Sequence, residues 1–307
     1  MPSRREYLAI AGLGSMAGCL GGNESTTTER DPTPTATKTP VSTAPATVST
    51  DDPAGVGEPV TVDGVDVTLE RVAVQSSLAV VYTDSGDVIA NTDGRFVLAA
   101  FDAGPAGPAA PAADRYTLVT AGERERPMEP GGGFWLSENG RREQYSTESA
   151  TSEAGGGWLA FPVDGGLDAE AAQITVGSGA WALPERVTER LSQPAPRYEL
   201  RSFDHPETVT PDEPFSVSLT VENVGSVAGT FRGVLNVRGV QYAVYPYPIR
   251  VDLEPGETDI WTKEYGPDEG LNDVDQTGAF DLRTPVGDRE GEIEVIAGTA
   301  VGTATES

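Results

Sequence analysis

Histidine and cysteine, the residues that most often build catalytic and metal centres, each occur once in this chain. The histidine is His205, which Pro206 follows, and the cysteine is Cys19 near the N-terminus. Zinc and blue-copper sites need several such side chains held together. No Gly-x-Ser-x-Gly, His-Glu-x-x-His or phosphate-loop sequence occurs either. The residue types therefore predict no metal, no cofactor and no catalytic residues of the serine-hydrolase or nucleotide-dependent classes.

Carboxylates are the exception, because the chain contains 48 Asp and Glu residues. A glycoside hydrolase needs only two acids that meet in space, and such a pair leaves no characteristic spacing. A carboxylate-based extracellular glycan hydrolase therefore stays open as an alternative. Residues 273–278 place acids and a glycine as a calcium-binding loop does, but the twelfth position is Thr284 instead of glutamate. We expect a plain turn there.

The N-terminus has the layout of an export signal. Arg4 and Arg5 precede the mostly apolar residues 8–17, a run too short for the roughly 20 residues that span a bilayer. A charged start, a short apolar run and small residues before a cysteine are typical of secreted proteins. The arginine pair resembles the twin-arginine signal, which implies export of a folded chain. A general secretory signal with two arginines is the alternative.

The cysteine at the end of this segment stands in a second motif. Residues 16–19, Met-Ala-Gly-Cys, resemble a lipobox, in which a lipid is attached to the cysteine thiol and the chain is cut before it. Cys19 has no disulfide partner in the chain, so an unmodified thiol would be exposed to oxidation outside the cell. We therefore expect a signal peptide at 1–18, a lipid on Cys19, and a membrane-anchored protein that faces the extracellular side.

The chain is strongly acidic, with a net charge of −27 at pH 7. Such a charge repels nucleic acid and anionic membrane surfaces, so nucleic-acid binding is excluded as a function. The acids could form a cation-binding surface or adapt the chain to concentrated salt, and their spread along the chain favours adaptation to salt. Lysine is scarce, with Lys38 and Lys263 only. Together with the N-terminal motifs, this composition resembles exported lipoproteins of salt-loving archaea.

Residues 19–56 are rich in Thr, Ser, Pro and Ala and show no apolar periodicity. This composition predicts a disordered tether between the lipid and the folded part. Asn23 begins an Asn-Glu-Ser triplet, which makes it a candidate glycosylation site, although a single triplet also occurs by chance.

Residues 57–192 are predicted to form the first folded domain. An Asp-Gly pair within the alternating residues 58–69 indicates a β-hairpin, and residues 183–191 have the spacing of a short helix. The alanine- and proline-rich insert 104–113 is expected to be a surface loop. The order of segments resembles an immunoglobulin-like domain of unknown function that is common in exported lipoproteins. Further strands are predicted at 77–83, 95–102, 115–120, 157–163 and 173–176.

Residues 198–296 are predicted to form the second domain, and 297–307 a flexible tail. Strands are expected within 210–223, 231–237 and 259–264. The spacing of strand, Asn-x-Gly-Ser, strand and Leu-x-Pro-Gly-Glu resembles the cell-adhesion-related domain of prokaryotic surface proteins. That resemblance implies an immunoglobulin-like sandwich in which Asn223, Gly225 and the Pro255-Gly256 pair form turns.

A run of tyrosines and prolines departs from that pattern. Tyr242, Tyr245 and Tyr247 alternate with Pro246 and Pro248. Exposed tyrosines can stack on carbohydrate or bind protein, whereas tyrosines beside prolines also cap the end of a sandwich. Tyrosines beside prolines more often have the capping role, so we expect it here and keep the run as a possible binding edge.

The sequence thus predicts an all-β protein with two immunoglobulin-like antiparallel β-sandwich domains after a signal peptide and a disordered Thr/Pro-rich linker. The function we expect is non-catalytic binding or adhesion at the cell surface, with another envelope protein or a surface polymer as partner. A passive envelope spacer and the glycan hydrolase are the alternatives, because a sandwich fold alone does not select among functions.

Overall fold

The computed structural model describes residues 53–296, apart from short segments within that range. These described residues all belong to one compact unit. The segments left out are 92–93, 106–109, 122, 129–133, 138–139, 143, 147–153, 168, 170, 212, 239–244 and 267–275.

Strands dominate this part of the chain and confirm the predicted all-β class. Helix α1 spans Glu185–Ser192, and Ala113–Arg115 form a short 3-10 turn. The strands are β1 (Pro59–Val62), β2 (Val65–Gln75), β3 (Ser77–Val81), β4 (Gly86–Ala90), β5 (Gly94–Pro105), β6 (Thr117–Val119), β7 (Arg124–Glu125), β8 (Phe134–Ser137), β9 (Gly140–Arg142), β10 (Ala154–Asp164), β11 (Gln173–Val176), β12 (Gly179–Ala182), β13 (Tyr198–Asp204), β14 (Thr208–Val209), β15 (Phe215–Asn223), β16 (Gly229–Arg238), β17 (Tyr245–Leu253), β18 (Thr258–Tyr265), β19 (Gln276–Arg283) and β20 (Arg289–Val295).

The strands form five sheets. The region before α1 holds a central sheet (β1-β2-β5-β10), an outer sheet (β12-β11-β6-β7) and a bridging sheet (β4-β3-β8-β9). The region after α1 holds a five-stranded sheet (β14-β20-β19-β16-β17) and a three-stranded sheet (β13-β15-β18). Pairing between the named strands is antiparallel except between β14 and β20.

Two strands of the central sheet are apolar on both faces. In β5, Val97, Ala99 and Phe101 face one hydrophobic core, while Phe96 and Leu98 face another. The side chains of β10 also alternate between these two cores. A continuous apolar run is what a strand covered on both sides requires, because neither face meets water.

The central sheet is therefore the middle of three layers. On one side it packs against the outer sheet around Phe101, Tyr116 and Trp181. On the other side it packs against Leu78 and Val80 of the bridging sheet. The sequence predicted a sandwich here, and the structure adds the third layer.

The bridging sheet also packs against the second region. Ala79 and Val88 form a small buried cluster with Val234 of β16. The Gly86 N–H donates to Asn236 Oδ1 at 2.7 Å, and Asn236 Nδ2 donates to the Gly86 carbonyl at 2.9 Å. The Asn236 amide thus pairs with the edge of β4 as a strand backbone would. The five sheets stack in the order outer, central, bridging, five-stranded and three-stranded.

The last two sheets enclose the second large core. The alternating residues Val217, Leu219 and Val221 of β15 are fully buried and belong to one core cluster with Phe231 and Leu235 of β16. This alternation confirms the strand predicted at 210–223, although the strand begins only at Phe215.

Two local predictions in the first region are confirmed. The β1–β2 hairpin turns at Asp63 and Gly64, whose φ angles of 51° and 84° fit a type I′ turn. In α1, Val187 and Leu191 are the buried residues, four positions apart on one face.

The surface-loop prediction for the insert is wrong at its end. Ala110 is 7% exposed and belongs to the largest core, and the Tyr145 hydroxyl donates to the Pro111 carbonyl at 2.7 Å. The end of the insert therefore packs on the core, where its Pro111 carbonyl accepts from the buried Tyr145 hydroxyl. Residues 106–109 of the insert lie outside the described residues.

Candidate functional site

Most of the residues singled out near the N-terminus lie outside the described part of the chain. These are Arg4, Arg5, Cys19 and Asn23, and the same holds for Tyr242 of the tyrosine run. Their predicted roles stay predictions. In the part of the chain that is described, no helix is long and apolar enough to cross a membrane.

The tyrosine run forms the first half of β17, which is the edge strand of the five-stranded sheet. Tyr247 is half-buried and packs against the second core. Its ring meets the Tyr265 ring edge-on, with 5.8 Å between the ring centroids. Tyr265 is 2% exposed and stacks on Phe215 at 4.7 Å. Tyr247 therefore caps one end of the sandwich with part of its ring left accessible.

Lys263 adds a charge to this end of the molecule. Its Nζ lies 5.2 Å from the Tyr247 ring centroid and 5.0 Å from the Tyr265 centroid. Both distances are within the range of cation–π attraction, so the ammonium group and the two rings hold one another in place. We call Tyr247, Lys263 and Tyr265 the tyrosine platform. Tyr265 is buried, so the accessible aromatic surface is that of Tyr247, beside the positive charge of Lys263.

The edge of β17 is a poor template for another strand. Pro246 and Pro248 have no backbone N–H, so they remove two donors that an added strand would need. The Pro246 side chain also lies against the bridging sheet, since a Cβ at Gly86 would stand 3.1 Å from it. Any contact made here depends on side chains and not on strand addition.

His205 has a packing role. Its ring lies 5.4 Å from the Phe203 ring and 5.7 Å from the Phe280 ring, and Nδ1 is 3.1 Å from the Pro206 carbonyl oxygen. It covers Gly291, where an added Cβ would clash with the imidazole. A ring held among aromatic side chains over a glycine stabilises the sheet and is not placed to bind a metal.

The described residues also contain no group of three or more His, Cys, Asp or Glu side chains that could hold a metal ion. The calcium-loop alternative at residues 273–284 fails on geometry. Gln276–Arg283 is strand β19, whereas such a loop must curl around its ion. Thr284 follows the strand and donates its hydroxyl to the Gly287 carbonyl at 2.7 Å. Asp273 and Asp275 lie outside the described residues.

Carboxylates do meet in space near the bridging sheet. The buried Asp281 pairs with Arg283 at 3.0 Å and with Arg238 at 2.9 Å, and Asp288 pairs with Arg283 at 2.6 Å. Asp87 of β4 lies nearby, and burial raises the pKa of its carboxyl. Two arginines pair with Asp281 and Asp288, so this group is held as an ion-pair network. The sequence spacing gave no sign of it.

The cavities lined by described residues include a shallow recess and a smaller cavity, neither of which is lined by these carboxylates. A shallow recess of about 440 Å³ is lined by Pro53, Ala171, Ala172, Gln173, Ala182, Leu183, Glu185 and Thr188. A smaller cavity of about 140 Å³ lies where the two regions meet, and it is lined by Ser76, Ala90, Asn91, Pro196, Arg197, Tyr198, Pro285 and Val286. We call the smaller one the junction cavity. Sequence reasoning missed it, because its walls come from segments far apart in the chain.

Comparison with known proteins adds little. No protein family matches the chain, and no curated protein matches it. Solved structures give partial likenesses. A beta-glucosidase from Listeria innocua is 16% identical with a TM-score of 0.29, and the match covers 34% of this chain and 17% of that chain. An alkylpurine DNA glycosylase from Pseudomonas fluorescens is 12% identical with a TM-score of 0.26, over 32% and 30% of the two chains. Likenesses this low support no statement about the function of this chain.

Proposed function

We propose that this chain is a lipid-anchored protein of the outer cell surface that binds another envelope protein or a surface polymer through the tyrosine platform. Cys19 carries the lipid, residues 19–56 form the tether, and the stacked sheets hold the platform away from the membrane. The chain binds and presents, and it does not catalyse.

The observation that supports this function best is the placement of Tyr247. Its ring is fixed by Tyr265 and Lys263, so little side-chain entropy is lost when a partner packs on the accessible part. Rigid aromatic residues of this kind are common anchors in protein and carbohydrate recognition.

The binding role is tested by crosslinking in intact cells followed by mass spectrometry. The wild type should recover one partner in a fixed ratio. Tyr247→Ala should lose that partner, while Tyr247→Phe should keep it, because the ring face remains and only the hydroxyl is removed. Near-ultraviolet circular dichroism of each purified variant checks that the fold is retained. Recovery of many envelope neighbours in no fixed ratio would instead support a passive spacer.

The anchor is tested separately with Cys19→Ser. We expect the wild type in the membrane fraction with a mass that includes a lipid, and the variant in a form without lipid. Recovery of the wild type from the cytosol with an intact leading methionine and a bare thiol would contradict the proposal.

The hydrolase alternative is tested by incubating the purified wild type with a panel of glycans. We expect no turnover. Turnover that a single Asp or Glu substitution abolishes would overturn the non-catalytic function.

A further inference from the structure

The junction cavity is built by both regions of the chain. Ala90 ends β4, Ser76 and Asn91 flank the strands β3 and β4, and Pro196, Arg197 and Tyr198 begin the second region. A volume of about 140 Å³ is enough for several water molecules or a small polyatomic ion. Polar and charged groups line it on both sides, so a dry cavity is not expected.

One arginine lines this cavity, and others lie near its Tyr198 wall. Arg197 lines it directly and is exposed. Arg95, Arg190 and Arg232 lie close enough to Tyr198 for their charges to favour its phenolate form, although burial, the largest effect, raises the pKa of Tyr198 to about 12. In a chain with a net charge of −27, Arg197 therefore places a cation at the lining of this cavity, with further arginines near Tyr198.

The acids that would normally neutralise these cations do not do so here. In the described part of the chain, Arg95, Arg190 and Arg197 form no ion pair with a carboxylate. Arg232 differs, because its charge also lowers the pKa of Asp252. The positive charge next to the cavity is therefore only partly compensated by the protein.

Arg95 makes this imbalance costly. It is 2% exposed, its Nη2 donates to the Pro194 carbonyl at 2.5 Å, and its Nε has no partner. Burial, with the nearby charge of Arg190, lowers the pKa of its guanidinium to about 10. A buried cation near a second positive charge is unfavourable unless an anion stands close to it.

Tyr198 gives a second, independent indication of a ligand. It lines the cavity and is 8% exposed, so more than nine-tenths of it is buried. Its hydroxyl lies near the Ser76 side chain, but it makes no hydrogen bond of normal geometry. Buried hydroxyl groups are almost always paired, and an unpaired one points to a missing partner.

We propose that the junction cavity binds a small oxyanion (a phosphate, a sulfate or a carboxylate group), with Arg197 as the direct cationic contact and the charge of Arg95 behind the wall. Oxyanions suit the site because guanidinium groups donate two parallel hydrogen bonds to them. The anion would touch both regions at once, so it would fasten the bridging sheet to the start of β13. This site is separate from the tyrosine platform and does not depend on it.

Isothermal titration calorimetry tests the site on the full folded protein. The titrants are inorganic phosphate, sulfate and acetate, each at a fixed ionic strength of about 1 M, where screening of the net charge is nearly complete because the Debye length is about 3 Å. We expect one anion per chain. Arg197→Gln should raise the Kd at least tenfold, because it removes a charge-assisted contact. Arg250→Gln is the matched control. Arg250 is exposed, pairs with Asp252 at 3.1 Å, and does not line the cavity. Its Kd should equal that of the wild type.

Thermal unfolding of Tyr198→Phe gives a second readout, because the difference in Tm between the variant and the wild type should change sign when phosphate is added. Without an oxyanion, the variant should be at least as stable as the wild type, because it loses an unpaired hydroxyl. With saturating phosphate, the wild type should gain more in Tm than the variant.

The proposal is overturned if none of the three anions binds the wild type, if Arg197→Gln binds as tightly as the wild type, or if phosphate raises the Tm of both proteins equally. Preference for acetate would identify a carboxylate as the natural group, and preference for phosphate or sulfate an inorganic anion or its ester.

Discussion

At the scale of the residue, Asn223 shows how one side chain fixes two turns. Its Nδ2 donates to the Val227 carbonyl at 2.8 Å and to the Leu253 carbonyl at 3.1 Å, while its Oδ1 accepts from Gly225 N–H at 3.0 Å. Its backbone carbonyl accepts from Gly256 N–H at 2.8 Å. Asn223 is fully buried, and its bond to the Leu253 carbonyl is buried with it, so water does not readily replace that bond.

We therefore predict that Asn223→Ala lowers the free energy of unfolding by about 3 kcal/mol, because three backbone groups lose a buried partner at roughly 1 kcal/mol each. Urea denaturation of the purified protein measures this loss. The control is Val224→Ala in the same turn, which changes an exposed side chain and should shift the free energy by less than about 0.5 kcal/mol. Equal values for the two variants would contradict the role given to Asn223.

Gly225 is restricted by the same turn. A Cβ at this position would lie 2.7 Å from the Arg197 backbone nitrogen, and backbone cannot move aside as a flexible side chain can. The Asn-x-Gly spacing in the sequence predicted the turn, and the structure supplies this physical reason for the glycine.

At the scale of the element, the bridging sheet decides how the two regions are joined. β16 is buried along both faces from Gly229 to Val237. One face lies in the second core, and Val234 and Asn236 of the other face meet β3 and β4. The sequence predicted a strand at 231–237 from its apolar residues, but an apolar run does not say which element covers it. The domain boundaries at 57–192 and 198–296 stay predictions.

We predict that the two regions unfold together in the wild type and separately in Gly86→Val. A Cβ at Gly86 would stand 2.4 Å from Val234 Cγ1, so a larger side chain must push β4 away from β16. Differential scanning calorimetry should then show one transition for the wild type and two for the variant. The control is Asp84→Asn in the exposed turn before β4, which should unfold in one transition. A single transition for Gly86→Val would show that the contact does not couple the regions.

At the scale of the whole molecule, the net charge of −27 is the dominant feature. Ion pairs at the surface, such as Arg115 with Asp63 at 2.7 Å, contribute little to stability. Repulsion among the remaining acids opposes the compact state in dilute buffer, and concentrated salt screens it.

We predict that dialysis from molar potassium chloride to low salt abolishes the near-ultraviolet circular dichroism signal of this protein. Sucrose at equal osmolality serves as the control, because it favours burial of apolar surface without screening charge. It should restore the signal less well than salt does. An unchanged Tm at low salt would count against adaptation to concentrated salt.

The sequence by itself determined the all-β class, most of the longer strands, the hairpin at Asp63-Gly64 and helix α1. These follow from periodicity and turn chemistry, which act over a few residues and are therefore visible in a linear pattern. Only the tertiary structure decided the stacking of the five sheets, the pairing of Asn236 with Gly86, and the meeting of Ser76, Arg197 and Tyr198 around one cavity. Those contacts join residues up to 150 positions apart, and no local pattern records which distant strand will cover a face or which charges will be buried together.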